Sequence, residues 1–289
     1  MTSLSETVIV NIPYSSSIQD PFRQFDLYRP LPLSSVIPPL LCFIHGGAWT
    51  SEDKADHNQL ARNLALSTGF TVAVPNYRLT PKNPPPGDVH FRHPGHPQDI
   101  LVFLNFMLSW KGPPDIGPVY DPKSFYLLGH SCSAHFLTSI FFDSSEVSPS
   151  LTPPSTLLHA VKGIVMSEGI YDLASLLAIF PQYLDWFIAP AFGRRDSYHA
   201  FSTTRFPLWN RDIRWLIIHS KGDTMVHLSQ SKAMYTRLCD LYGSFADTHI
   251  QLNLDQLDAE HDDILRRDEY IDIVKNFVFG DNFVERNKL

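Results

Sequence analysis

The stretch Phe125-Tyr126-Leu127-Leu128-Gly129-His130-Ser131-Cys132-Ser133 decides how the rest of the chain is read. An apolar run, a tight turn centred on a serine, and the helix-compatible segment Ala134 to Phe142 spell strand, turn, helix. A turn of this kind holds a serine hydroxyl at the tip of a sheet, where a histidine can take its proton. The pattern is G-x-S-x-G with one departure, because Ser133 stands where the last glycine is usual. A small residue still fits where a helix and a strand approach closely.

Working outward, Leu40 to Ile44 is an apolar run expected as a strand buried on both faces, Thr71 to Pro75 is the next buried strand, and Val161 to Met166 and Ile213 to His219 read as further strands. Thr7 to Asn11 and Gln24 to Arg29 read as outer strands, and Thr248 to Leu254 as a late one. Helical spacing appears in Asp56 to Thr68, Gln98 to Trp110, Leu228 to Leu241 and Asp268 to Phe279. The proline-rich segments Lys82 to Pro97 and Ser144 to Ser155 read as loops. Strands alternating with helices predict an α/β fold with a mostly parallel sheet covered on both faces. A single domain is expected over 1–289, with a cap-like helical insertion at about 173–212, where aromatic residues and prolines break the pattern.

Composition excludes several classes. The 289 residues suffice for one large core, and 44% of them are hydrophobic. The net charge of −7 and the lack of a basic run argue against nucleic acid as a partner. No apolar segment approaches the roughly 20 residues needed to cross a bilayer, and Met1 to Asn11 lacks the signature of a signal peptide. Cys42, Cys132 and Cys239 show no metal-ligand spacing, and an odd count fits a reducing compartment. A cytoplasmic protein is expected, although Asn287-Lys288-Leu289 is distantly similar to the S-K-L peroxisomal signal.

A serine nucleophile needs a base, and the base needs an acid to hold its tautomer. Asp223 lies in a turn just past the strand Ile213 to His219, and His261 follows the last strand. The expected trio is therefore Ser131, Asp223 and His261. Asp172, Asp255 and Asp258 compete as the acid, and His219 and His227 are the rival histidines. After the strand Leu40 to Ile44 comes His45-Gly46-Gly47-Ala48-Trp49, whose glycines let amides turn toward a developing negative charge. Gly47 and Ala48 are the expected loop donors, Gly46 sets the turn, and the Cys132 amide adds a further donor. His130 and the Cys132 side chain are read as packing residues.

With those residues in view, the chain resembles the kynurenine formamidase (arylformamidase) family, particularly its fungal members, on the α/β-hydrolase fold. The resemblance runs from about Leu40 to Phe279. It is carried by the H-G-G-x-W loop at 45–49, by Asn76-Tyr77-Arg78-Leu79, and by Gly129-His130-Ser131. Glu168-Gly169-Ile170-Tyr171-Asp172-Leu173 and the Asp223 and His261 turns complete it. The resemblance implies hydrolysis of N-formyl-L-kynurenine to L-kynurenine and formate, a step of tryptophan degradation toward NAD synthesis. It implies a formyl-enzyme intermediate, no metal or organic cofactor, and a small-molecule substrate as the partner, and it leaves a homodimer open. Trp49 is expected to narrow the acyl pocket, and Tyr171, Phe180, Tyr183 and Trp186 are candidates to stack on the substrate ring or to form the insertion's own core. The rival readings are a broad esterase of the hormone-sensitive-lipase type and an inactive hydrolase fold that only binds.

Overall fold

The computed structural model describes residues 5–16, 20–31, 36–82 and 91–286. Among them, eight strands form one sheet: β1 (Ser5–Pro13), β2 (Gln24–Leu31), β3 (Leu40–Ile44), β4 (Thr71–Pro75), β5 (Phe125–His130), β6 (Val161–Ser167), β7 (Arg214–Ile218) and β8 (Ile250–Asn253). Their order across the sheet is β1-β2-β4-β3-β5-β6-β7-β8. Only β2 runs antiparallel to its neighbours, and β3 to β8 pair in parallel. This is the α/β-hydrolase fold.

The apolar runs are continuous because both faces are covered. Along β3, Leu40, Cys42 and Ile44 enter one apolar cluster while Leu41 and Phe43 enter the other, the period of two expected of a strand. The first cluster is closed by α2 (Gly95–Ser109) and α3 (Cys132–Phe141), through Ile100, Phe103, Leu104, Phe136 and Leu137. The second is closed by α1 (Asn58–Thr68) and the C-terminal helix (Asp268–Arg286), through Leu60, Leu64, Tyr270, Val274 and Phe277. Each fully buried side chain of this size contributes about 1.5–3 kcal/mol.

Parallel register places the carboxyl ends of the central strands side by side. Ile44 pairs with Gly129, His130 with Ser167, Ser167 with Ile218, and Ile218 with Asn253. The residues just beyond these ends are His45, Ser131, Glu168 and the turn from His219 to Asp223, so one sheet edge gathers groups distant in sequence.

Several boundaries differ from the sequence reading. Helix α2 starts at Gly95, with Pro97 in its first turn, where a missing N–H costs no intrahelical bond. A short helix, α4 (Ser155–Ala160), precedes β6. The late strand starts at Ile250 because Ala246–His249 completes a helical turn before it. The segment 173–212 holds α5 (Leu173–Ile179), a π turn (Leu184–Ile188), α6 (Ala189–Phe192) and two 3-10 turns. Its Leu173, Leu176, Phe187 and Phe192 join the first apolar cluster. Residues 83–90 of the proline-rich loop and Asn287-Lys288-Leu289 lie outside the described residues. No described helix is long and apolar enough to cross a membrane.

Candidate active site

Ser131 joins β5 to α3 with φ 56° and ψ −121°, a left-handed backbone that a side chain rarely adopts. Such strain costs on the order of 1–3 kcal/mol and must be held by its surroundings. Here the Ser131 amide donates to Ser167 O at 2.9 Å, and Ser131 O accepts from Ile170 N at 3.2 Å. The hydroxyl does not cap α3, so it is not spent on its own helix. Gly129 is required, because a Cβ there would stand 2.9 Å from Leu137 Cδ1 and 3.0 Å from Ser133 O.

The departure at Ser133 has a physical reason. Its Oγ accepts from His130 N at 2.7 Å and lies 2.7 Å from Ile44 O and 2.8 Å from His130 O. The hydroxyl therefore stitches the elbow to the end of β3, where the glycine loop begins.

Asp223 and His261 meet as the sequence predicts, with His261 Nδ1–H donating to Asp223 Oδ2 at 2.9 Å. Asp223 Oδ1 accepts from Met225 N at 2.8 Å and Val226 N at 2.9 Å. Burial disfavours the Asp223 charge, but hydrogen bonds from His261, Glu168 and the Val226 amide outweigh it and hold the carboxyl well below its usual range. Burial likewise disfavours the His261 imidazolium, but the hydrogen bond to Asp223 foremost opposes it, and the pKa is raised above the ordinary histidine value. No hydrogen bond within 3.5 Å joins the Ser131 hydroxyl to His261 among the described residues. In unliganded enzymes such contacts are often loose and tighten with substrate.

His130 does more than pack. Its Nε2–H donates to His261 O at 3.1 Å, and the two rings lie 4.7 Å apart. Burial, together with the neighbouring His261, lowers the His130 pKa to about 3, so the ring stays neutral.

The rivals are otherwise engaged. Asp172 caps α5 by accepting from Ala174 N and Ser175 N. Asp255 and Asp258 are exposed. His219 Nδ1 bonds Ser231 Oγ at 2.9 Å, and the exposed His227 bonds Ser229 Oγ.

The loop after β3 folds back on the elbow. A Cβ on Gly46 would stand 3.1 Å from Ser131 Cβ, and one on Gly47, where φ is 88°, would overlap Ser51 O at 2.1 Å. His45 stacks on Tyr77 with ring centroids 4.5 Å apart, and Tyr77 OH donates to Gly46 O at 2.6 Å. Cys132 Sγ accepts from Trp49 N at 3.4 Å and also lies against the Ala48 amide. Burial pushes the Cys132 thiol up to about 12, which leaves it a neutral packing group.

Trp49 and Tyr171 require a correction. Both are fully buried, so neither presents surface to a ligand. Trp49 packs between Phe187, Phe192, Phe136 and His135. It backs the glycine loop among these rings. Tyr171 is wedged behind the elbow helix, close enough that a Cβ on Gly169 would lie 2.2 Å from its hydroxyl.

The residue that sequence reasoning passed over is Glu168. It was visible only as part of a motif, yet it follows β6 directly, has φ 54°, and is fully buried. Its Oε1 accepts from Ser220 N at 2.9 Å, and its Oε2 lies 3.4 Å from His261 Nδ1. The available signal was its place one step past β6, the strand that pairs with β5.

Among the described residues, three groups bring histidine and acid atoms within 4.8 Å of one another: His45-Glu52-His57, His130-His261-Asp262 and Glu168-His219-Asp223. Their atoms are largely engaged already. Glu52 pairs with His57 at 3.0 Å, His130 Nε2 and His261 Nδ1 are hydrogen bonded, and Asp223 holds His261.

The family model described as BD-FAE matches residues 25–238. A kynurenine formamidase from Saccharomyces cerevisiae is 26% identical over 235 residues, covering 76% of this chain and 81% of that protein. An Oryza sativa protein named probable isoprenylcysteine alpha-carbonyl methylesterase is 26% identical over 276 residues, 89% of this chain and 61% of that protein. Esterase B from Lactobacillus rhamnosis superposes with a TM-score of 0.70 at 17% identity, covering 98% of this chain and 88% of that one. The chain is thus a hydrolase of the esterase and amidase kind on the α/β-hydrolase fold, and it belongs to the BD-FAE family.

Proposed function

We propose that the chain hydrolyses N-formyl-L-kynurenine to L-kynurenine and formate, with Ser131 as nucleophile, His261 as base and Asp223 as the acid that orients it. The observation that carries this reading is the Asp223–His261 hydrogen bond at 2.9 Å, set beside a strained serine that leaves its helix uncapped. Because Nδ1 carries the proton given to Asp223, Nε2 has the lone pair that a base needs. Ser131 Oγ attacks the formyl carbon while Nε2 takes its proton. The oxyanion is met by the amides of Gly47, Ala48 and Cys132, each worth roughly 10²–10³ in rate by analogy with other oxyanion holes. The imidazolium then protonates the departing aryl amine, leaving a formyl ester on Ser131. Water deprotonated by His261 attacks that ester, and formate leaves as Ser131 recovers its proton.

An aromatic row supports an aryl substrate. Tyr183 OH donates to Met225 O beside the Asp223 turn, and its ring touches Trp186 and Phe187. Phe187 in turn stacks on Trp49 behind the glycine loop. Trp186 is 51% exposed and is the member of this row that an arriving ring can meet. The segment 173–212, which bears the row, acts in this reading as the cap of the site.

The second reading, a carboxylesterase, is favoured by the esterase names among the matches. Turnover of N-formyl-L-kynurenine is measured against a panel of short p-nitrophenyl esters. A kcat/KM for the formamide well above every ester supports the first reading, and the reverse order supports the second. An inactive binding fold would turn over neither.

A further inference from the structure

Two carboxylates converge on one imidazole nitrogen in this site. Asp223 Oδ2 is 2.9 Å from His261 Nδ1, and Glu168 Oε2 is 3.4 Å from the same atom. Both acids are fully buried at their side chains. One N–H cannot satisfy both, and Glu168 Oε2 is left without a hydrogen-bond partner at its present protonation. Two negative charges this close and this dry repel strongly, so one carboxyl is favoured as the neutral acid.

The surroundings decide which. Asp223 Oδ1 accepts from two backbone amides and Oδ2 from His261, which together stabilise an anion. Glu168 accepts one amide, from Ser220, and its other oxygen has none. The groups facing the pair are His261, His219 (whose Nε2 lies 3.7 Å from Asp223 Oδ2), Asp262, and the hydroxyls of Tyr171, Tyr183 and Tyr270. The single group among them that gains a positive charge during turnover is His261, and Asp223 already holds it.

We propose that Glu168 is a positioning residue that stays protonated in the resting enzyme and donates its Oε2 hydrogen to Asp223, locking that acid against His261. The inference rests on the triad reading above. A proton on Oε2 gives the orphaned oxygen a role and removes the repulsion. It also adds a fourth hydrogen bond to Asp223, beside those from Met225 N, Val226 N and His261. The electrostatics agree: burial first, and then the neighbouring Asp223, raise the Glu168 carboxyl to about 8. Ionising it would place a second negative charge beside the imidazole and withdraw the bond to Asp223.

The test compares wild type with Glu168→Gln, whose amide keeps a donor toward Asp223 and an acceptor for Ser220 N but cannot ionise. Thermal unfolding is followed from pH 5 to pH 9. A carboxyl held neutral in the fold ionises in the unfolded chain near pH 4–5. The wild type therefore loses stability through this group as pH rises from that range to its raised folded value. The glutamine variant escapes that loss, so its Tm advantage over wild type must grow between pH 5 and pH 8. A difference that stays flat with pH overturns the proposal, and this readout does not depend on which residues are catalytic. In activity, Glu168→Gln is expected to extend the kcat/KM plateau past the wild type's alkaline decline. A loss beyond about tenfold at pH 7 would mean that the ionised carboxylate is the working form. Asp223→Asn run in parallel separates the two failures: if it retains full activity, the triad reading falls, while the Tm comparison still decides the state of Glu168. Should Glu168→Gln not fold, the infrared C=O band of a protonated carboxyl in the wild type at pH 7 decides, its absence overturning the proposal.

Discussion

Ser133 Oγ stands 2.7 Å from the carbonyl oxygen of Ile44, tying the Ser131 turn to the strand end from which the glycine loop departs. The same oxygen accepts from His130 N at 2.7 Å. A position that usually carries glycine is here a buried crosslink between the two halves of the candidate site. Ser133→Gly, although nearer the common motif, removes the hydroxyl that bonds Ile44 O, His130 O and His130 N in the buried turn. The expected loss is about 1–3 kcal/mol. Chemical denaturation measures it, and an unchanged midpoint would show that the crosslink is incidental.

Asp223→Asn keeps the shape of the acid but turns an acceptor into a group that can donate toward His261 Nδ1. The wrong histidine tautomer then predominates. A fall in kcat of roughly 10³–10⁴-fold is expected, by analogy with the same change in other triads. Steady-state kinetics on the formamide, with circular dichroism to show that the fold persists, checks it.

The pH profile follows from the raised pKa of His261. The base must be neutral, so kcat/KM falls as pH drops through that raised value, and the midpoint lies above the ordinary histidine value of about 6.5. In stability the sign is opposite. The charged His261 stabilises the fold fully below about pH 6.5, and that contribution is lost as pH rises through the folded value. Asp223→Asn should lower the midpoint of whatever activity remains. A wild-type midpoint at or below the ordinary value would contradict the ion pair.

Much of this architecture was legible in the sequence because it is written in local runs. β3, β4, β5 and β7 have every residue buried, which is why each carries an apolar run, such as Leu40 to Ile44, Phe125 to Leu128 and Trp215 to Ile218. The start of α2 was hidden because Pro97 and the prolines before it look like loop, although a helix tolerates proline in its first turn. Asp223 and His261 were legible because each follows a strand, and parallel strands bring their ends together. Glu168 was not, because its partners Ser220, Asp223 and His261 come from three other segments and are set by topology alone. Trp49 and Tyr171 were expected against the substrate because aromatic residues in a motif suit either a pocket or a core. Their contacts place both in the core.

Trp186 is half-exposed beside Tyr183 and Phe187, whereas Trp49 is fully buried among four rings. Truncation should therefore separate binding from folding. Trp186→Ala is expected to raise KM for an aryl formamide about tenfold, a loss of about 1.4 kcal/mol, with little change in Tm. Trp49→Ala should instead cost about 3–5 kcal/mol of stability. Equal effects of the two changes on KM would remove the aromatic row from the account.

The most direct measurement is covalent. A fluorophosphonate probe is added to wild type and to Ser131→Ala, and the modified peptide is located by mass spectrometry. The account predicts stoichiometric modification at Ser131 in the wild type and none in the variant. Modification at another residue, or none in a folded wild-type protein, would contradict Ser131 as the nucleophile.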